Sequence, residues 1–207
     1  TYTNRPLKQL PFRQGLPAKL GQEITIKVGN PSLFYNDKIS IQLSENSLVF
    51  TSLIDYIGWK DYKPEIEKAL SQLMATTNIK KCTRVGLRYI SEYPNQDLKD
   101  CINFKFSFGL PQFESETTAF RSEFMYNDTK VILNLNNKVP FIKQELNTKQ
   151  TEIVRTSIID IDVISENLEL DNLNDLLNTI EINHTKEKEV YFSMLKDEYL
   201  QSLNPVY

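Results

Sequence analysis

Alternation of apolar and polar residues is the dominant pattern in this chain, and it is clearest over Lys81 to Glu92. Read as a strand, Val85, Leu87 and Tyr89 point one way, while Arg84, Gly86, Arg88 and Ile90 point the other. Arg155 to Ser165 is the most β-rich run. Ile159, Ile161 and Val163 share one side, and Ile158, Asp160, Asp162 and Ile164 share the other. Two hairpins are expected. Lys38 to Leu53 folds about Ser44-Glu45-Asn46-Ser47, and Ala119 to Tyr126 pairs with Lys130 to Asn136 about Asn127-Asp128. Asp100 to Phe108 also alternates and reads as a strand, and Gln22 to Val28 reads as a shorter one. Residues 137 to 152 are mixed and polar, which predicts a loop or a short irregular helix.

Helical spacing appears in two places. Tyr62, Ile66, Leu70 and Leu73 form a stripe over a helix capped by Asp61 and running to about Thr77, with Pro64 in its first turns. From Asp171 to Leu203, positions including Leu173, Ile180, His184, Tyr191 and Leu195 track one face. That fits one long helix, or two with a break near Asn183. The N-terminal 22 residues hold three prolines and two glycines, so they read as a connecting segment. Strands joined by short turns, without βαβ alternation, imply an α+β fold. It is a mostly antiparallel sheet with helices on one face and a long C-terminal helical segment.

Composition narrows the picture. The 207 residues suit a single domain, with 25% charged and 40% hydrophobic residues, as in ordinary globular chains. The net charge of -3 argues against a generally basic nucleic-acid surface. No apolar run is long enough to span a bilayer and no signal peptide is evident, so a cytoplasmic protein is expected. The sequons at Asn127 and Asn183 then read as chance matches. The chain opens on Thr1, which leads to the expectation that an N-terminal piece is missing. Cys82 and Cys101 lie in strand-like stretches and read as buried free thiols. The single histidine, His184, excludes a His-rich metal site. It sits on the apolar stripe of the last helix, which predicts a packing role.

Candidate chemistry concentrates on the polar side of two strands. Arg84 and Arg88 stand on one face about 13 Å apart at roughly 3.3 Å per residue, with Gly86 leaving open surface between them. Guanidinium forks suit phosphates and carboxylates, so this face is a candidate ligand site. The plainer reading is that the arginines pair with Asp160 or Asp162 on a neighbouring strand. Those two aspartates are in turn candidates for metal or acid–base chemistry, but no third ligand lies nearby, so no metal and no cofactor is implied. Trp59, Tyr56, Tyr62 and Tyr89 could stack nucleobases, yet basic residues are sparse among them. Ser and Cys residues show no nucleophile spacing.

The aromatic stretch Tyr56 to Trp59, the string Arg84-Val85-Gly86-Leu87-Arg88-Tyr89-Ile90, the strand Ile159 to Asp162 and the closing helix with His184 and Tyr191-Phe192 occur in that order. Together they resemble a sporadically distributed bacterial family of unknown function, of about 250 residues. In that family asparagine usually stands where this chain has Ser91. The resemblance implies a bacterial cytoplasmic protein and adds weight to Arg88 and Tyr89 as a shared feature. It brings no activity or cofactor. Three functions follow as expectations. The first is a non-enzymatic binding or regulatory module with a ligand, a protein partner or a second copy of itself. The second is an enzyme or sensor acting on a phosphorylated or nucleotide ligand held by Arg84 and Arg88; the ligand-binding candidates as a whole are Arg84, Arg88, Tyr89, Asp160 and Asp162. The third is a single-strand nucleic-acid binder.

Overall fold

A computed structural model describes residues 3–4, 32–53, 56–76, 81–104, 117–144 and 151–203. The chain divides into two compact units, Thr1–Thr77 and Asn78–Tyr207. The first unit carries a four-stranded antiparallel sheet in the order β1-β2-β3-β4, formed by Thr3–Asn4, Ser32–Tyr35, Ile39–Leu43 and Leu48–Ser52. The expected hairpin from Lys38 to Leu53 is β3 and β4, with Ile41 opposite Phe50. Helix α1, Trp59–Thr76, buries Tyr62, Ile66 and Leu70 as the stripe predicts. Asp61 does not cap it. The helix opens instead on Gly58, whose carbonyl accepts from the amides of Asp61 and Tyr62, and whose φ of +86° suits a residue without a Cβ.

The second unit holds the longer sheet, in the order β5-β8-β7-β6, antiparallel throughout. These strands are Val85–Pro94, Thr151–Ser165, Thr129–Gln144 and Thr118–Tyr126. The β6–β7 hairpin is the second one expected, and Asn127 takes a positive φ at its turn. Residues 137–144 and 151–152 are strand, not a loop or helix, and residues 145–150 lie outside the described residues. β7 continues to Gln144 and β8 begins at Thr151, so the β7–β8 hairpin is much longer than expected. The alternation is masked by a bulge. Between Asn136 and Val139 two residues, Asn137 and Lys138, face one, Ser157, and Lys138 lies at φ +52°.

The expected strand at Asp100 to Phe108 is also corrected. Leu98–Cys101 forms a short helix, α2, capped by Asp97, whose side chain accepts from the Lys99 amide. Cys101 is therefore a buried helical thiol, while Cys82 is half-buried at an isolated bridge to Leu170. Residues 105–108, like the expected strand at Gln22 to Val28 and nearly all of the N-terminal connecting segment, lie outside the described residues. Helix α3 is Leu173–Met194, capped by Asn172, and is followed by α4, Asp197–Ser202. The break is at Leu195, not near Asn183. Ile102 bridges Leu195, Asn103 N–H donates to the Met194 carbonyl at 2.8 Å, and Lys196 N–H donates to the Cys101 carbonyl at 2.9 Å. Tertiary pairing thus ends the helix where no glycine or proline does.

α3 lies against one face of this sheet. That face is Val131, Leu133 and Leu135 of β7, Ile159, Ile161 and Val163 of β8, and Tyr93 of β5. Asn183 is fully buried beneath the helix. Its Oδ1 accepts from Ser165 Oγ at 2.8 Å and its Nδ2 donates to the Val85 carbonyl at 3.2 Å, which ties α3 to β8 and β5. His184 is buried as expected, with Nδ1 3.2 Å from the Tyr89 hydroxyl. Asn183→Ala should cost about 1–3 kcal/mol, because Ser165 and the Val85 carbonyl lose a partner in a dry interface. Equilibrium denaturation of variant and parent checks this, and an unchanged stability would contradict it.

Candidate functional site

The face of the longer sheet opposite α3 is built by the other half of the alternation. β5 contributes Gly86, Arg88 and Ile90; β8 contributes Asp160 and Asp162; β7 contributes Lys130, Ile132 and Asn134; β6 contributes Arg121 and Glu123. Arg88 stands directly opposite Asp162, and Ile90 opposite Asp160. Arg88 nevertheless reaches diagonally. Its Nε donates to Asp160 Oδ1 and its Nη2 to Asp160 Oδ2, both at 2.8 Å. This is a two-point fork on a carboxylate that is only 2% exposed, while about half of the Arg88 side chain meets solvent. The pair raises the Arg88 pKa, chiefly through the hydrogen bond to Asp160.

The pair is one end of a network that crosses all four strands. Asn134 Nδ2 donates to Asp160 Oδ2 at 3.1 Å, and Arg121 Nη1 donates to Asn134 Oδ1 at 3.0 Å. Arg121 Nη2 continues to Glu123 at 2.7 Å, and Lys130 Nζ reaches the other Glu123 oxygen at 2.8 Å. Each donor meets an acceptor, so the carboxylate buried at Asp160 is compensated three times over.

Asp162 is treated differently. Among the described residues it has no hydrogen bond or ion pair, although it lies in the middle of this face. Burial pushes its pKa up. Arg84 and Arg88 pull it back down in part, and Asp160 adds to the rise. Arg84 is the nearest loose partner. Its Nε sits 3.6 Å from Glu166, a weak exposed pair, and its two Nη atoms fold over Gly86. Both Nη atoms and Asp162 Oδ1 lie within 3.6 Å of the place where a Gly86 Cβ would stand. The surface expected to be open at Gly86 is therefore roofed by a guanidinium and flanked by a carboxylate.

Of the sequence-expected residues, the fold brings Arg84, Arg88, Asp160 and Asp162 together. It sets Tyr89 on the opposite face, against His184, as strict alternation requires. Among the described residues no cluster of three His, Cys, Asp or Glu side chains is arranged to hold a metal ion. The aromatic candidates are dispersed. Tyr62 is buried in α1, where burial pushes its hydroxyl up to about 12, and its ring meets Tyr56 edge-on at 6.3 Å. Two groups of residues were missed. Asn134 and Arg121 were legible in the period-two pattern of β6 and β7 but carry no motif. The second group is a node at the β7 bulge, where Asn137 and Lys138 reach Asp97. Lys138 Nζ lies 2.5 Å from Asp97 Oδ2, and Asn137 Nδ2 donates to Asp97 Oδ1 at 3.0 Å. These bonds and those from Lys99 hold the Asp97 pKa down to about 2 against the effect of burial. The node borders a cavity of about 390 Å³ lined by Asn95, Gln96, Asp100, Cys101 and Tyr199 as well.

No family model, curated protein or solved structure matches this chain. The geometry thus stands by itself. Among the described residues no helix is long and apolar enough to cross a membrane.

Arg88→Ala should destabilise the second unit by about 2–4 kcal/mol, since it strands Asp160 with Asn134 as its remaining donor. Arg88→Ala combined with Asp160→Asn should recover part of that loss. A double-mutant cycle read by denaturant unfolding measures the coupling, and additive effects would show that the pair contributes nothing.

Proposed function

We propose that this chain is a bacterial cytoplasmic binding or regulatory module, and that its ligand is held by Asp162 and Arg84 on the charged face of the longer sheet. The observation that carries the reading is the division of labour between the two aspartates. Asp160 absorbs Arg88, so the more conspicuous arginine is spent on the fold. Asp162 keeps its acceptors, and Arg84 keeps the donors of both Nη atoms, on either side of a glycine. A half-buried carboxylate beside a guanidinium fork suits a ligand that brings an N–H donor and an anionic or carbonyl oxygen close together. A zwitterionic amino acid has that pattern, and so has the edge of a guanine-type base carrying a phosphate. The string from Arg84 to Ile90 supports placing the chain in the bacterial family it resembles.

The arrangement favours binding over turnover. Arg88 is held at two points, and the face is braced from strand to strand, which favours presenting fixed groups to a ligand. The phosphorylated-ligand reading survives in a narrower form, with Arg84 in place of Arg88 as the anion contact.

Calorimetric titration with a panel of free amino acids and guanine nucleotides tests this. Asp162→Asn and Arg84→Ala should each weaken binding about 10- to 100-fold, corresponding to loss of one charge-assisted contact. Both should leave the unfolding midpoint nearly unchanged, unlike Arg88→Ala. Equal affinity in parent and variants would refute the site.

A further inference from the structure

β6 is an outer strand of the longer sheet. It has nine residues, no proline and no bulge in its pairing with β7. A long, regular edge of this kind is a template for further strand pairing. The β6–β7 register fixes which of its backbone groups are left over. Tyr126 and Thr129 flank the two-residue turn at Asn127-Asp128, and the pair flanking such a turn exchanges both backbone hydrogen bonds. Stepping back by two, Phe124, Ser122, Phe120 and Thr118 also turn their amides and carbonyls toward β7. Those of Ala119, Arg121, Glu123 and Met125 point off the edge of the sheet, where among the described residues they meet no backbone partner. The same stretch exposes apolar surface, with Met125 65% and Phe124 37% exposed.

We propose that β6 pairs antiparallel with β6 of a second copy of this chain, about a two-fold axis through Ser122, so that the two sheets become one. Backbone phase and charge select this register. A pairing shifted by a single residue would set outward groups against residues already bonded to β7. Centred on Arg121, two guanidinium groups stand opposite each other; centred on Glu123, two carboxylates do, and both arrangements repel. Centred on Ser122, Arg121 stands opposite the partner's Glu123, and symmetry repeats the match. Arg121 and Glu123 now meet along their own strand at 2.7 Å, with side chains 56% and 42% exposed. Directly opposite positions are closer than neighbours two apart on one strand, so the same pair is at least as well placed across the axis. The apolar residues are matched as well. On the outer face Ala119 lies opposite the partner's Met125. On the inner face Phe120, whose ring centroid is 5.2 Å from that of Phe104, lies opposite the partner's Phe124. Arg84 and Asp162 lie toward the far edge of the sheet and take no part, so this pairing is independent of the ligand site.

Sedimentation velocity on the intact chain tests this. One strand edge is a small interface, so the parent should pass from monomer to dimer with a Kd of about 10–100 μM, seen on loading between about 5 and 500 μM. Arg121→Glu alone and Glu123→Arg alone place like charges opposite each other, and each should weaken dimerisation at least about 10-fold. Mixing the two variants in equal amounts should restore association, because every pair across the axis again joins opposite charges. The Arg121→Glu/Glu123→Arg double variant should dimerise like the parent for the same reason. A variant that merely misfolds would not recover on mixing. Ser122→Cys reads the axis separately. Opposite residues of this non-hydrogen-bonded kind have Cα atoms about 4.5 Å apart, within disulfide range, so mild oxidation should cross-link this variant and not the parent. A dimer indifferent to the charge variants, or one that Ser122→Cys does not cross-link, would overturn the proposal. So would a parent that stays monomeric, which would leave this edge to a strand of a different protein.

Discussion

The buried carboxylate of Asp160 is the constraint around which the longer sheet is arranged. A charge at 2% exposure is tolerable only where donors surround it, and here they come from both neighbouring strands. Arg88 on β5 and Asn134 on β7 close on it from either side, so one side chain of β8 holds three strands in register. Arg121, Glu123 and Lys130 extend the same logic to the far edge. Everything proposed for ligand recognition depends on this, because it is Asp160 that removes Arg88 from contention and leaves Asp162 uncommitted.

Much of this was legible from residue spacing, and the failures have physical causes. Both hairpins, the β8 strand and the burial of His184 follow from period-two and helical patterns that survive intact in the fold. The length of the β7–β8 hairpin was hidden because Asn137 and Lys138 insert a bulge that interrupts the alternation. α2 was hidden because Ile102 and Phe104 alternate as a strand would, while Asp97 caps a single helical turn just upstream. The end of α3 carries no local signal, since it is set by pairing with Ile102 and Asn103. For the site, alternation placed Arg84, Arg88, Asp160 and Asp162 on one face. It could not say which aspartate each arginine would choose. The directly opposite partner of Arg88 is Asp162, but a two-residue diagonal, within reach of a long side chain, decided for Asp160.

The two faces of the sheet solve the problem of polarity in opposite ways. On the outer face, charges are abundant and nearly all are matched. On the inner face charge is almost absent, and the few polar groups are bonded to one another: Asn183 to Ser165, His184 to Tyr89, Tyr93 to Tyr191. Asp162 is the exception on the outer face. Its pKa is raised mainly by burial, and it breaks the rule of its surroundings. A fold satisfied elsewhere makes such an exception informative.

The alternation of Ile159, Asp160, Ile161, Asp162 and Val163 also bears on how the chain reaches its fold. Were β8 to pair one residue out of step during folding, both aspartates would turn under α3, into a mostly aliphatic layer and away from Arg88. The isoleucines would meet the guanidinium of Arg88. A misaligned hairpin would thus lose its apolar layer and its ionic lock together, and would come apart before α3 could trap it. The same five residues that seat the core act as a proofreading step for strand alignment. A long hairpin like β7–β8, rich in aliphatic residues and otherwise prone to sliding or to pairing between molecules, has particular need of one.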